Sequence, residues 1–195
     1  DLTTITDELC QRYGVRHAVW PMADAPVRTM VQVSSGPLKG ELPFQHYFVR
    51  ERCQPPVSGF RFAGIDSAAP QQRMLDLIDG GRVEAIVICP SNPFVSVDPI
   101  LMLPGLRQRL RSTGVPIVAV SPIVGGRALK GPAAKMMEEL GMPVTARAVA
   151  DYYGDLLDGF VIDIADAADA AAIEKAGPRV CVTPSVMNGP KERQA

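Results

Sequence analysis

Histidine is scarce in this sequence, with only His17 and His46, and its four cysteines, Cys10, Cys53, Cys89 and Cys181, stand far apart without a CxxC pair. A zinc cluster needs closely spaced thiolate and imidazole ligands, so that class is excluded. Neither histidine accompanies a nucleophile elbow, which leaves a Ser-His-Asp hydrolase without support. A surplus of one charge is also lacking: Lys+Arg 20 against Asp+Glu 21 gives a net charge of −1. Binders of nucleic-acid backbones and of anionic membrane surfaces work through massed Lys and Arg, and are excluded with it. No apolar run approaches the roughly 20 residues needed to span a bilayer, because Pro, Gly or charge interrupts every candidate, as in Val115 to Val124. The opening DLTTITDELCQRYG lacks an initiator Met, a basic n-region and an apolar h-region. The expectation is therefore a piece of a longer protein, incomplete at the N-terminus, and not a secretory leader.

What is present is an ordinary globular composition, 47% hydrophobic and 21% charged over 195 residues. That is enough for a sizeable core and argues against a disordered chain. One α/β domain over 1–195 is expected, the later part of a larger protein, with 27–65 as a small β-rich insertion that offers a surface for a homodimer. Leu2, Ile5, Leu9 and Tyr13 recur at near-helical intervals before Gly14, so the chain opens with a helix. Val15 to Trp20, Val27 to Val33 and Val57 to Ile65 read as extended, Phe44 to Cys53 as helix or strand, and Pro70 to Ile78 as helix. From there the alternation is regular. Strands are expected at Glu84 to Cys89, Pro116 to Val120, Gly159 to Asp163 and Arg179 to Val182. Helices are expected at Pro99 to Arg111, Pro132 to Leu140, Ala146 to Tyr153 and Ala167 to Lys175. The runs Ala85 to Cys89 and Ile117 to Val120 lack polar alternation, as strands covered on both faces do. The expected fold is Rossmann-like: three layers, a mostly parallel sheet with helices on both faces. Cys89 and Cys181 lie inside such runs and read as buried, reduced thiols, which points to a reducing compartment, the cytoplasm.

Ligands of open parallel sheets sit beyond the carboxyl ends of the strands. Four such ends carry proline: Trp20-Pro21, Cys89-Pro90, Ser121-Pro122 and Thr183-Pro184. Proline stops the strand and stiffens the loop, and the neighbouring hydroxyl and amide groups can face a polar ligand. In Ser91 to Pro99, Ser91, Asn92 and Ser96 offer such groups before a helix that Asp98 caps and Pro99 opens. The cap is the better reading of Asp98 than a metal ligand. Gly126 and Gly131 have Walker A spacing, but Pro132 stands where that motif needs Lys, so this is not a P-loop. A plainer phosphate site, with Gly125, Gly126 and Lys130 before a helix start, and a solvated surface loop are both open there. Arg28 stands near Asp24: it can clamp a phosphate or carboxylate, or pair with that aspartate.

Read in order, several segments resemble the 2-phospho-L-lactate transferase family, which acts in the making of the deazaflavin coenzyme F420. They are Pro21 to Thr29, Phe44 to Arg50, Ile88 to Leu101, Val120 to Gly126 with Lys130 to Lys135, Asp158 to Asp163, and Val182 to Met187. The resemblance covers almost the whole chain and corresponds to the middle and later parts of a family member. It implies transfer of a phospho-acyl group from a GDP-activated donor to the ribityl hydroxyl of the deazaflavin precursor, with release of GMP. It also implies Mg²⁺, its ligands falling mainly in the preceding part. In that reading Ser91, Asn92 and Ser96 orient the nucleotide or the precursor. Gly125, Gly126 and Lys130 neutralise phosphate, and Arg28 with Gln45 holds a substrate. No catalytic residue and no metal ligand is assigned within the chain, and the 195 residues alone are expected to show no turnover. The family pattern departs at Ala25, where a second aspartate usually follows Asp24. The alternatives are a non-enzymatic nucleotide-sugar-binding regulator with a related α/β core, and an α/β module without activity. Lactate, enolpyruvate and glycerate stay equally open as the acyl group.

Overall fold

The structure is a computed structural model and describes residues 1–187 and Gly189. The expected domain limit at 195 lies outside the described residues. The chain divides into two compact units, Asp1–Glu84 with Phe94–Gly114, and Ala85–Pro93 with the chain from Val115 onward.

The first unit opens with α1 (Leu2–Arg12), whose start is capped by Asp1: its carboxylate accepts the Thr4 N–H at 2.8 Å and the Thr4 hydroxyl at 2.7 Å. The helix is where the apolar spacing puts it, but the marked face is not buried. Leu2, Ile5 and Leu9 are about half exposed, and the buried residue of α1 is Thr3. Thr3 donates its N–H to Asp24 at 2.7 Å and its hydroxyl to the same carboxylate at 3.0 Å, which holds that carboxyl below the ordinary range. Asp24 is thereby occupied by the helix and not by Arg28. Val15 to Trp20 is not a strand, and all of it but the half-buried Trp20 is exposed; a β-prone stretch becomes a strand only where another strand offers its hydrogen bonds.

Strands β1 (Arg28–Val33), β2 (Gly40–Pro43) and β3 (Val57–Ala63) form an antiparallel sheet in the order β2-β1-β3. It lies within the stretch 27–65. Val31, Val33, Val57 and Phe62 point into its core, and Phe60 stacks on Phe94 at 5.8 Å. Between β2 and β3, Phe44 to Cys53 resolves into a π-type turn at His46–Arg50, anchored by the buried Tyr47, whose hydroxyl donates to the Cys53 carbonyl at 3.2 Å. Helix α2 (Gln72–Asp79) ends at Gly80. The long helix expected over Pro99 to Arg111 is two pieces, α3 (Asp98–Leu101) and α4 (Leu106–Ser112). Pro104 cannot continue a helix and Gly105 takes φ +73°, which breaks the ladder.

The second unit contains the parallel sheet, in the order β4 (Ile86–Ile88), β5 (Ile117–Val120), β8 (Gly159–Ile162), β9 (Arg179–Val182). A two-stranded hairpin, β6 (Ile123–Val124) and β7 (Arg127–Ala128), follows β5. Helices α5 (Ala133–Glu139) and α6 (Ala146–Tyr153) link it to β8, and α7 (Ala170–Ala176), entered through a 3₁₀ segment at Ile164–Asp169, links β8 to β9. Both connections step the same way across the sheet, so right-handed crossovers put α5, α6 and α7 on one face. Burial follows this rule. Ile117, Ala119, Phe160 and Ile162, which alternate on β5 and β8, are at most 1% exposed, as are Met136, Met137, Val149 and Ile173 from the helices.

The alternate residues are less covered. Val118, Val120 and Val161 are half-buried, and Val87 is 61% exposed. Of the three expected layers, the sheet and one helical layer are formed within this unit. Cys89 and Cys181 belong to the less covered set and are exposed, so their reading as buried thiols is corrected. An apolar run identifies a strand, but the connections decide which of its faces is covered. All four cysteines are free, and among the described residues no helix is long and apolar enough to cross a membrane.

Candidate functional site at the strand ends

Three of the four proline-bearing ends do follow strands, those after β4, β5 and β9. Pro21 does not, because Val15 to Trp20 is not a strand. The three loops surround one cavity of about 510 Å³ at the carboxyl ends of the parallel sheet. Pro90, Ser91 and Asn92 line it from β4, Ser121 and Pro122 from β5, and Ser185 to Met187 from β9. The hairpin side adds Val124, Leu129 and Lys130, with Ala133 from the start of α5. Among the described residues the lining has hydroxyls, an amide and one ammonium group, and no carboxylate. A positive charge with no opposing carboxylate suits an anion.

Each polar group has a local reason for its place. Asn92 is half-buried and its Nδ2 donates to Met136 Sδ at 3.2 Å, which ties the loop after β4 to α5. Ser121 is 3% exposed; its Oγ donates to the Ile123 carbonyl at 2.8 Å and accepts the Ile123 N–H at 3.1 Å, turning the chain from β5 into the hairpin. Lys130 is exposed after β7, where its ammonium group can move toward a ligand. Ser185 is held by Asp163, the residue that follows β8: the Asp163 carboxylate accepts the Ser185 N–H at 2.8 Å and its hydroxyl at 3.2 Å. Backbone hydrogen bonds, from Ala165 first and then from Ser185, keep the Asp163 carboxyl below the ordinary range.

Ser91, Asn92 and Lys130 are thus brought into one cavity. Gly125 and Gly126 form the turn of the hairpin with φ +55° and +74°, conformations that favour glycine, and do not line the cavity. The Gly125 N–H is donated to Asp166. Arg28, Gln45 and Ser96 belong to the first unit and are exposed there. Asp98 is the first residue of α3 and not its cap; π-type turns at Pro93–Val97 run straight into that helix, so the expected free helix start is not formed. Ser121 and Ser185, at two of the proline-bearing strand ends, line the cavity as those loops suggest, whereas Asp163 carries no sequence signal of its role. Asp163 directly follows β8, the one parallel strand whose carboxyl end carries no proline. A second, more open hollow of about 640 Å³ lies beside α6, lined by Met142, Thr145, Arg147 and Tyr152 among others. Its arginine is paired with Asp151 at 3.6 Å, and it is away from the strand ends.

A family model described as 2-phospho-L-lactate transferase CofD matches residues 1–182. The chain belongs to this family. Among similar proteins, the 2-phospho-L-lactate transferase of Methanosarcina mazei is 38% identical over 176 residues, covering 90% of this chain and 55% of that protein. The phosphoenolpyruvate transferase of Streptomyces griseus is 37% identical over 187 residues, covering 95% and 58%, and that of Thermobifida fusca is 38% identical over 195 residues, covering 100% and 58%. The chain thus spans a little over half the length of these curated relatives. Two crystal structures of a Bacillus halodurans protein, described in one as a member of the UPF0052 family, share the fold. Their TM-scores are 0.63 and 0.59 at 16% and 17% identity, over 97% and 93% of this chain and 64% and 62% of theirs.

The Mg²⁺ implied by the CofD resemblance finds no donor set here. No group of three His, Cys, Asp or Glu among the described residues is placed to hold a metal ion, and the cavity lining is free of carboxylates.

Proposed function

We propose that this chain carries the diphosphate-binding part of a CofD transferase. The whole protein moves a phospho-acyl group from a GDP-activated donor to the ribityl hydroxyl of the deazaflavin precursor of coenzyme F420. One observation carries the reading: a cavity at the carboxyl ends of three of the parallel strands gathers Ser91, Asn92, Ser121, Lys130 and Ser185. In the reaction the acceptor oxygen forms a bond to the phosphorus that bears the acyl group, the bond from that phosphorus to the bridging oxygen breaks, and GMP leaves with that oxygen. The proton of the hydroxyl is given up as the new ester forms. No covalent intermediate with the protein is needed, because positioning and charge neutralisation lower the barrier of such a displacement.

Lys130 offsets the negative charge that grows on the leaving phosphate, and Ser91 and Asn92 orient the phosphates by hydrogen bonds. The hairpin glycines act by shaping the turn that precedes Lys130. Arg28 and Gln45 as substrate contacts, and Ser96 as an orienting hydroxyl, are supported by the family resemblance. Lactate and enolpyruvate, the acids named among the relatives, both have three carbons, so a small site beside the phosphate serves either.

The test is titration of the isotope-labelled chain with GDP and with inorganic pyrophosphate. Amide shifts concentrated at Ser91, Asn92, Lys130 and Ser185 are expected with both ligands. Shifts confined to the hollow beside α6, or absent with both, overturn the reading.

A further inference from the structure

The cavity walls are loops, and loops keep a geometry only where their backbone is tied down. The turn after β8 ties two of them. Asp163 is 6% exposed and does not line the cavity. One of its carboxylate oxygens accepts the Ala165 N–H at 3.0 Å, closing its own turn. The other takes both donors of Ser185, at 2.8 and 3.2 Å, and Ser185 begins the wall that continues through Val186 and Met187. Three residues on, Asp166 donates its N–H to the Asp163 carbonyl at 2.9 Å, which fixes it relative to Asp163. The Asp166 carboxylate places both oxygens on a single donor, the Gly125 N–H, at 3.1 and 3.0 Å. Gly125 is in the turn of the hairpin that carries Val124 into the cavity and leads on to Leu129 and Lys130.

Two carboxylates so close to an anion site would weaken it if they faced the ligand. Here their oxygens are taken up by the N–H groups of Ala165 and Gly125 and by both donors of Ser185. The low pKa of Asp163 also makes it a poor proton acceptor near neutral pH.

We propose that Asp163 and Asp166 are positioning residues of the anion site, a paired clamp in which Asp163 sets Ser185 and Asp166 sets the hairpin that delivers Lys130. The clamp rests on the reading of the cavity as a diphosphate site, and the experiment separates the two. The chain and its Asp163→Asn and Asp166→Asn variants are compared by amide hydrogen exchange, with and without GDP, and by calorimetric titration with GDP. In Asp163→Asn, faster exchange is expected at Ser185 to Met187, with the hairpin still protected; in Asp166→Asn the converse is expected. Each variant should bind GDP about tenfold more weakly, the size of one lost charge-assisted hydrogen bond. Saturating GDP should restore protection of the loosened loop by favouring the bound native state. Loops that exchange as in the parent chain, or that loosen while GDP affinity stays within twofold, overturn the clamp. A parent chain that binds no GDP overturns the diphosphate reading, and the ligand-positioning role with it. Should Asp163→Asn fail to fold, the half-exposed Asp166 decides the matter.

Discussion

Replacing Asp163 by asparagine keeps the volume of the side chain and removes its charge. Three donors depend on that carboxylate: the Ala165 N–H at 3.0 Å, the Ser185 N–H at 2.8 Å and the Ser185 hydroxyl at 3.2 Å. Asparagine retains one oxygen and turns an NH₂ toward the other side, so one set of donors faces another donor. Ala165 is exposed, and water can take over its N–H at little cost; Ser185 is half-buried and less easily rescued. A hydrogen bond to a charged group contributes about 1.5–3 kcal/mol, so a loss of about 2 kcal/mol is expected at neutral pH. The pH dependence has a definite sign. The folded-state pKa of Asp163 lies below its ordinary 3.8, so its contribution is fully present above that value and is lost as pH falls through the folded pKa. The asparagine variant has no such titration. Urea unfolding at pH 7, 5 and 3 should therefore show a gap between the two proteins that is constant from about pH 7 to 5 and narrows below 3.8. A gap under about 0.5 kcal/mol at pH 7, the size of an ordinary surface substitution, would refute the reasoning. So would a gap that persists unchanged into strong acid.

Lys130→Ala should weaken GDP binding about tenfold at low salt, with the difference shrinking as added salt screens an exposed charge. Calorimetry at two ionic strengths checks this, and a change below twofold at low salt removes Lys130 from the site. Gly64→Ala should destabilise the first unit by about 2–4 kcal/mol. The residue has φ +90°, and a new Cβ would stand 2.5 Å from the Pro26 carbonyl oxygen, a backbone atom that cannot swing away. A thermal midpoint equal to that of the parent would contradict the geometry.

Local chemistry was legible wherever one residue type dictates one backbone behaviour. Helix α6 and strand β9 have the bounds that their apolar spacing and flanking turns predict. Ser91 and Asn92 are legible because they follow a parallel strand, at whose carboxyl end ligands collect, and Lys130 because it lies in the glycine-flanked loop beyond the next parallel strand. The hairpin of β6 and β7 leaves no trace in the sequence pattern: two-residue strands are too short to show a period. The apolar repeat runs on across Pro104 and Gly105 and hides the break between α3 and α4.

The sequence alone settled the α/β class, the order along the chain of the four parallel strands and the polar character of the loops that follow them, since these depend on spacing within a few residues. Which face is covered was decided only in three dimensions: the stripe Leu2, Ile5 and Leu9 made α1 a helix yet stays half exposed, and Cys181, within β9, and Cys89, just past β4, both meet solvent. Burial and pairing are relations between segments far apart in the chain. The grip of Asp163 on Ser185 spans 22 positions and that of Asp166 on Gly125 spans 41, distances at which no local period records the contact.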